Sequence, residues 1–340
     1  MIKPVDKTTE NPELRLVGDY VLHTGCTVFL TGRAGTGKTV FLRELKERTA
    51  KRMIVTAPTG VAALNAGGVT LHSFFQLPFG PIVPGGENYD NRKQHRFSRE
   101  KRNIILNLDL LIIDEISMVR ADMLDGIDAV LRRFRRSEQP FGGVQLLMIG
   151  DLHQLPPVVK EEEWSLLSAH YDSPYFFSSR ALAQTELVTI ELQRIYRQAD
   201  TRFIRLLNKV RDNRMDDAAL KELNSRCLPV TGNSADREGY ITLCSHNRNA
   251  DAINHIRLRE IDGPLHRFKA NVEGDFPEYT YPTSALLELK RGAQVMFVRN
   301  DSSEEKLYFN GRIGRVSSIA GDMIRVRCPG DEYDIEVEPA

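Results

Sequence analysis

One octapeptide limits the folds open to this chain more than any other feature: Gly32-Arg-Ala34-Gly35-Thr36-Gly37-Lys38-Thr39. It fits G-x-x-x-x-G-K-[ST] at every fixed position. The apolar run Thr27-Val-Phe-Leu30 stands before it and a helical pattern from Thr39 to Thr49 follows. Strand, glycine turn and helix in that order belong to a sheet with helices packed on its faces. Glycines let the backbone wrap a phosphate with its N–H groups, and the start of the helix adds positive potential. A chance glycine turn is the competing reading, and the strand before and helix after argue against it. Lys38 is then placed to reach the β- and γ-phosphates and the Thr39 hydroxyl to bind Mg²⁺.

The same rhythm continues downstream. Met53–Thr56, Leu110–Ile113 and Gln145–Ile149 read as strands. Runs this apolar are buried on both faces, as in a parallel α/β sheet. Arg120–Arg136 reads as a helix, and Phe176-Phe177 and Leu187–Leu192 as further strand material. The stretch 77–102 breaks the pattern: Pro and Gly crowd its start, and from Arg92 to Arg102 six bases face one acid. It reads as a surface excursion. In the second half, Phe203–Arg211 and Asn249–Arg259 are helix candidates and Tyr240–Cys244 a strand. Strands are then expected at Gln294–Val298, Ile313–Ser317 and Met323–Arg327, with a turn at Asn310-Gly311.

Two apolar strands end in polar residues that suit phosphate chemistry. Leu110-Leu-Ile-Ile is followed by Asp114-Glu115. In a parallel sheet these carboxylates emerge at the carboxyl edge, beside the glycine turn. Asp114 suits a Mg²⁺ shell, and Glu115 suits orienting and deprotonating a water. A strand end followed by a helix cap is the plainer alternative. Gly150-Asp151-Leu-His-Gln154-Leu-Pro156-Pro157 follows the next strand, and the neutral amide of Gln154 is the candidate sensor of a γ-phosphate. A simple turn competes equally for that segment.

Composition narrows the class further. The 340 residues carry 46 Lys+Arg and 46 Asp+Glu, which excludes a generally polybasic coat but not a local binding groove. Residues 1–150 hold 21 bases against 16 acids, and the last 40 hold five against nine, so the balance hides a regional excess. Cys26, Cys227, Cys244 and Cys328 are far apart, with no CxxC pair, and suit reduced thiols in the cytoplasm. The polar stretch Met1–Pro12 has no apolar core of a signal peptide, and no apolar run approaches the ~20 residues of a membrane span. No membrane partner is expected.

With these segments in hand, the chain resembles the Pif-type DNA helicases, the 5′-to-3′ helicases of the B branch of helicase superfamily one and relatives of the RecD helicases. Thr56-Ala-Pro58-Thr59-Gly60-Val-Ala-Ala63 and Gly67-Gly68-Val-Thr70-Leu-His72-Ser73-Phe74-Phe75 resemble the segment after the P-loop. Asp114–Met118 with the helix that follows resembles the second motif, and Gly150–Pro157 the third. Leu192-Gln-Arg-Ile-Tyr-Arg197-Gln198 resembles the fourth, and Leu289–Met296 through Asn310-Gly311 a later strand region. The resemblance implies tandem RecA-like P-loop NTPase domains with a small β-barrel insertion, the second domain incomplete. Its expected divisions are 1–185 for the first RecA-like domain, 186–288 for the partial second, and 289–340 for a β-rich segment leading into the barrel.

The resemblance also implies ATP and Mg²⁺ as cofactors and single-stranded, forked or structured DNA as partners, acted on by a monomer in the cytoplasm. Roles in DNA repair, recombination and telomere maintenance come with it. Arg197 would reach the γ-phosphate, with Arg194 the lesser choice, and Thr59, Gly60 and His72 would hold the DNA backbone. Phe74 and Phe75 suit base stacking or a core. Arg92, Lys93, Arg96, Arg99, Lys101 and Arg102 form the best electrostatic footprint for DNA, and Arg132, Arg133, Arg135 and Arg136 read as the exposed face of a helix.

Two departures stand out. The family's adenine-reading Gln before the P-loop has no counterpart, since no Gln precedes Gln76 and Arg15 sits in that window. The fifth and sixth motifs do not occur within residues 1–340. These residues are therefore expected to bind nucleotide but to hydrolyse it poorly, and a nucleotide- and DNA-binding module with little turnover is the alternative to a helicase motor. A P-loop ATPase acting on protein is a third class, disfavoured by the Pro-Thr-Gly segment and the Gln154 motif.

Overall fold

A computed structural model describes residues 11–78, 80–85, 97–196, 200–227, 241–271, 283–299, 301, 303, 305, 307–309 and 311–337. The chain divides into two units, residues 1–226 and 227–340.

In the first unit, helix α1 (Pro12–His23) leads into β1 (Thr27–Gly32), α2 (Lys38–Arg48), β2 (Met53–Ala57), α3 (Gly60–Asn65), β3 (Val69–Thr70), α4 (Leu71–Phe75) and α5 (Arg99–Asn107). Then come β4 (Leu110–Ile113), α6 (Ala121–Arg135), β5 (Gln145–Ile149), α7 (Glu161–Leu167), β6 (Leu187–Leu192), α8 (Thr201–Arg211) and α9 (Asp217–Asn224). The six strands form one sheet in the order β3-β2-β4-β5-β1-β6, and every pairing in it is parallel.

Side chains alternate across this sheet, so each strand feeds two cores. Val28, Leu30, Leu110, Ile112, Leu147 and Ile149 pack on one face with Leu14, Val17 and Val21 of α1 and Phe41, Leu42 and Leu45 of α2. Phe29, Leu111, Ile113, Leu146 and Met148 face the other way, against Leu124, Ile127 and Leu131 of α6. Double-sided burial explains why these strands lack polar alternation. Asn11 sets the start of α1: its Oδ1 accepts from the N–H groups of Glu13 and Leu14 at 2.9 and 3.2 Å.

Two expectations change. Phe176-Phe177 is not strand but a 3₁₀ turn over Phe176–Ser178. The turn brings Ser179 and Ala181 onto the buried Asp125 carboxylate, at 2.5 and 3.0 Å, and puts Phe176 edge-on to Phe29 at 5.1 Å. β6 pairs with β1 over six residues, so the first unit continues past residue 185, to Arg226. Phe74 and Phe75 are buried in the core, as the second of their two readings has it.

In the second unit, helix α10 (Asn247–Glu260) is followed by β7 (His266–Lys269) antiparallel to β8 (Leu286–Leu289). β9 (Gln294–Met296), β10 (Ile313–Ala320), β11 (Met323–Arg327) and β12 (Ile335–Val337) form an antiparallel sheet in the order β12-β11-β10-β9. Phe297, Val326, Cys328 and Ile335 make its core. Ile241–Cys244, expected as strand with Tyr240, is irregular and exposed; Tyr240 lies outside the described residues. With both faces uncovered, these apolar residues lack the packing that a buried strand needs.

Candidate functional site

Because all six strands run the same way, their carboxyl ends share one edge. Ligands in open α/β sheets bind at that edge. β1 ends at Gly32, β2 at Ala57, β4 at Ile113 before Asp114, and β5 at Ile149 before Asp151.

The turn after β1 is built for close approach. Gly32, Gly35 and Gly37 adopt φ values of 146°, 81° and 98°. At Gly32 a Cβ would sit 2.8 Å from the Leu192 carbonyl oxygen and 3.1 Å from Thr36 Oγ1, so only glycine lets β6 pass. Thr36 is buried, and its hydroxyl donates to the Arg33 carbonyl at 2.8 Å, closing the loop on itself. Beyond β6, the Tyr196 N–H donates to the Gly35 carbonyl at 2.8 Å, and the Arg194 guanidinium stands 4.9 Å from the centre of the Tyr196 ring. Ala34 and Thr39 are exposed on the loop and the first turn of α2.

Lys38 opens α2, and its ammonium donates to the carbonyls of Gly32 and Arg33 at 2.5 and 3.1 Å. Burial lowers its pKa, opposed by the charges of Asp151, Glu115 and Asp114 and reinforced by that of Arg211. Burial likewise raises the Asp114 pKa, against the Glu115 N–H it accepts and the charges of Lys38 and Lys46. Glu115 is raised by burial first and by the neighbouring Asp114 charge next. Its backbone is left-handed, φ 54°, at the point where the chain leaves β4.

Asp151 is buried, and burial alone would raise its pKa; hydrogen bonds from Arg211, Gln154 and the His153 N–H bring it below the usual carboxylate range. Gln154 Nε2 donates to Asp151 Oδ2 at 3.0 Å. Arg211 of α8 pairs with the same oxygen. The sequence gives no hint of Arg211: it lies sixty positions from Asp151 and in no recognisable motif. Arg197 lies outside the described residues.

The donor set fits a nucleotide triphosphate with Mg²⁺. Mg²⁺ takes one or two protein oxygens and fills its octahedron with phosphate oxygens and water. Asp114 and Thr39 supply that number, and among the described residues no cluster of three or more His, Cys, Asp or Glu could hold a metal alone.

The segment after β2 lies at the neighbouring strand end. Thr59 caps α3 by accepting from the Ala62 N–H at 3.2 Å, and Gly60 is its first residue. His72 lies on α4; burial lowers its pKa, as does the Arg120 charge. Lys46, from the P-loop helix α2, donates to the carbonyls of Ala66 and Gly67 at 2.5 and 2.9 Å, tying α2 to the end of α3.

The basic clusters divide. Arg92, Lys93 and Arg96 lie outside the described residues. Arg99 and Arg102 are exposed, whereas Lys101 donates to the Ser73 carbonyl at 2.9 Å and is drawn into the structure. In the second cluster Arg132 pairs with Asp128 at 2.8 Å. Arg135 is not part of an exposed face: it is partly buried and donates to the carbonyls of Gly142, Ile105, Leu106 and Leu108.

A parallel sheet with a P-loop, two carboxylates and an amide at its carboxyl edge defines a P-loop NTPase core of the RecA-like class. The sequence pattern of the PIF1-like helicases matches residues 14–221, and the chain belongs to that family. It is 38% identical over 305 residues to the human ATP-dependent DNA helicase PIF1, covering 86% of this chain and 44% of that protein. With the Saccharomyces cerevisiae ATP-dependent DNA helicase PIF1 the identity is 34% over 306 residues, covering 86% and 34%. The chain thus spans less than half the length of these relatives. Among solved structures, the Bacteroides Pif1 helicase in complex with ADP-AlF3 and ssDNA superposes with a TM-score of 0.81 at 41% identity, covering 96% of this chain and 74% of that one. A structure of two coordinating Pif1 helicases at forked dsDNA gives 0.83 at 40%, covering 96% and 75%. Among the described residues, no helix is long and apolar enough to cross a membrane.

Proposed function

We propose that these residues form the motor core of an ATP-dependent 5′-to-3′ DNA helicase, which translocates on single-stranded DNA and unwinds forked or structured duplex. The observation that carries the reading is the convergence of Lys38, Asp114, Glu115, Asp151 and Gln154 at one sheet edge, with the Thr59–His72 segment leaving the next strand. The half-buried Lys38 neutralises the β- and γ-phosphates, and the N–H groups from Gly32 to Thr39 wrap them. Thr39 and Asp114 hold Mg²⁺, which supplies charge neutralisation on the phosphate oxygens when bound. Glu115, its proton affinity raised by burial, orients the attacking water and takes its proton. Gln154 hydrogen-bonds the γ-phosphate, and Arg197 stabilises the charge that develops there. ATP binding and hydrolysis alternate to drive the step along DNA.

Thr59, Gly60 and His72 grip phosphate oxygens with backbone and side-chain donors, contacts that ignore base sequence. Solved relatives with ssDNA and with forked dsDNA support these partners. The reading includes monomeric action in the cytoplasm.

The absence of fifth- and sixth-motif segments from residues 1–340 favours a second reading for these residues alone: nucleotide and DNA binding with little turnover. ATP turnover of residues 1–340, with and without oligo-dT, decides between them. Strong oligo-dT stimulation that Lys38→Met and Glu115→Gln both abolish supports the motor. Retained binding of ADP and oligo-dT with negligible turnover supports the module. Loss of ADP binding altogether would refute both.

A further inference from the structure

We propose that Arg211 and Asp151 form a buried charge pair that sets the phosphate affinity of the P-loop and ties it to helix α8; the proposal rests on the nucleotide reading above. Asp151 follows β5 and is 1% exposed. Its Oδ2 accepts from both Arg211 and Gln154, the latter at 3.0 Å, and its Oδ1 accepts from the His153 N–H at 3.1 Å. The Arg211 side chain is 16% exposed and sits on the last residue of α8. Both charges act on the Lys38 ammonium.

The Asp151 carboxylate thus acts on two cations, Arg211 by direct pairing and Lys38 through space, beside the further carboxylates Glu115 and Asp114. A buried carboxylate needs a counter-charge. Without Arg211, the Asp151 charge acts on Lys38 unopposed by that guanidinium and would draw it away from phosphate. Without the Asp151 charge, both cations are released toward an incoming anion. Arg211 also has guanidinium N–H donors beyond the one that Asp151 engages, in a fork suited to phosphate oxygens. The two single substitutions must then act in opposite directions on phosphate binding, which loss of a merely structural contact would not produce. Gln154 shares Oδ2, so a shift of its amide toward a γ-phosphate leaves Arg211 as the main partner of Asp151. In this way α8 registers the nucleotide.

The test is titration of residues 1–340 with ADP and Mg²⁺ by calorimetry, on wild type, Arg211→Met, Arg211→Lys, Asp151→Asn and the Arg211→Met/Asp151→Asn pair. Each protein's fold is checked by its melting transition. Arg211→Met should raise the ADP Kd about tenfold, the scale of a coupled charge pair. Arg211→Lys should recover part of that loss. Asp151→Asn should lower the Kd, and the double variant should return to within about threefold of wild type. Weaker ADP binding by Asp151→Asn, or a double variant no better than Arg211→Met, overturns the proposal while leaving nucleotide binding intact. If Arg211→Met fails to fold, the sign of the Asp151→Asn effect alone decides. A wild-type chain that does not bind ADP removes the nucleotide reading and this proposal together.

Discussion

Asp125 offers a direct test of how the nucleotide-binding unit is held together. Its carboxylate is 4% exposed in the middle of α6. It accepts from the Tyr171 hydroxyl at 3.0 Å, the Ser179 hydroxyl at 2.5 Å, and the N–H groups of Arg180 and Ala181 at 3.2 and 3.0 Å. Burial, followed by the Asp125 charge, pushes the Tyr171 phenol well above its ordinary pKa, so it stays a donor. These bonds fold the chain between α7 and β6 back onto α6. Asp125→Ala strands the Ser179 hydroxyl and the Ala181 N–H, both buried, at about 1–3 kcal/mol each. The variant also relieves the cost of burying a charge, which places the net loss at about 2–4 kcal/mol. That is a large share of a typical stability of about 5–15 kcal/mol. Asp125→Asn keeps one carbonyl acceptor and should lose about half as much. Urea unfolding followed by circular dichroism measures both. A loss under about 1 kcal/mol for Asp125→Ala would refute the claim that this carboxylate organises the segment.

Three further outcomes are expected. Lys46→Met removes the two bonds from α2 to the end of α3, so affinity for labelled oligo-dT, read by fluorescence anisotropy, should fall about fivefold, the scale of one such bond, with ADP affinity held within about twofold; the reverse pattern would deny the link. Gly68→Ala drives a Cβ into the Val55 carbonyl of β2, and should cost about 1–3 kcal/mol in thermal or urea unfolding as β3 is pushed from the sheet; an unchanged melting transition would contradict this. Arg52 grips Asp109 through two side-chain bonds of 2.7 and 2.8 Å, and that grip holds the Asp109 pKa at about 2, below its ordinary 3.8. A depressed carboxylate stabilises the fold above its unfolded pKa, and this contribution drains away as pH falls from about 4 toward 2. Arg52→Met should flatten that part of the acid-unfolding curve, and an identical acid limb would count against the pair.

The strands were legible because double-sided burial leaves an uninterrupted apolar signature: Leu110–Ile113 and Gln145–Ile149 match β4 and β5 residue for residue. The P-loop was legible because its glycines answer to backbone conformation rather than to distant partners. Phe176-Phe177 misled for the opposite reason. Its apolar character is real, but the chain just after it is held by Asp125, some fifty residues earlier, through Ser179, Arg180 and Ala181, and no local pattern carries that constraint. Arg135 misled likewise: on a helical wheel it belongs to a charged face, yet it spends its donors on four carbonyls from two other segments. Arg211 was invisible because ion pairing leaves no periodicity.

The same contrast explains how the site is assembled. Local sequence builds each piece of the candidate site separately: a turn after β1, a carboxylate pair after β4, an amide after β5. What joins these pieces are long side chains from helices. Lys46 runs from α2 to the end of α3, and Arg211 from α8 to Asp151. Each such link joins an element near the sheet's carboxyl edge to a helix through one long side chain. Both end on a cation, whose reach lets a helix respond to charge without being rebuilt. On the proposed reading, a nucleotide arriving at Lys38 would alter the electrostatic balance that Asp151 shares with Arg211, and α2 carries both Lys38 and Lys46. On that reading, coupling of phosphate to the Thr59–His72 segment would need no large rearrangement of the sheet. It requires only that α2 shift as a body, which is why Lys46→Met should separate DNA binding from ADP binding.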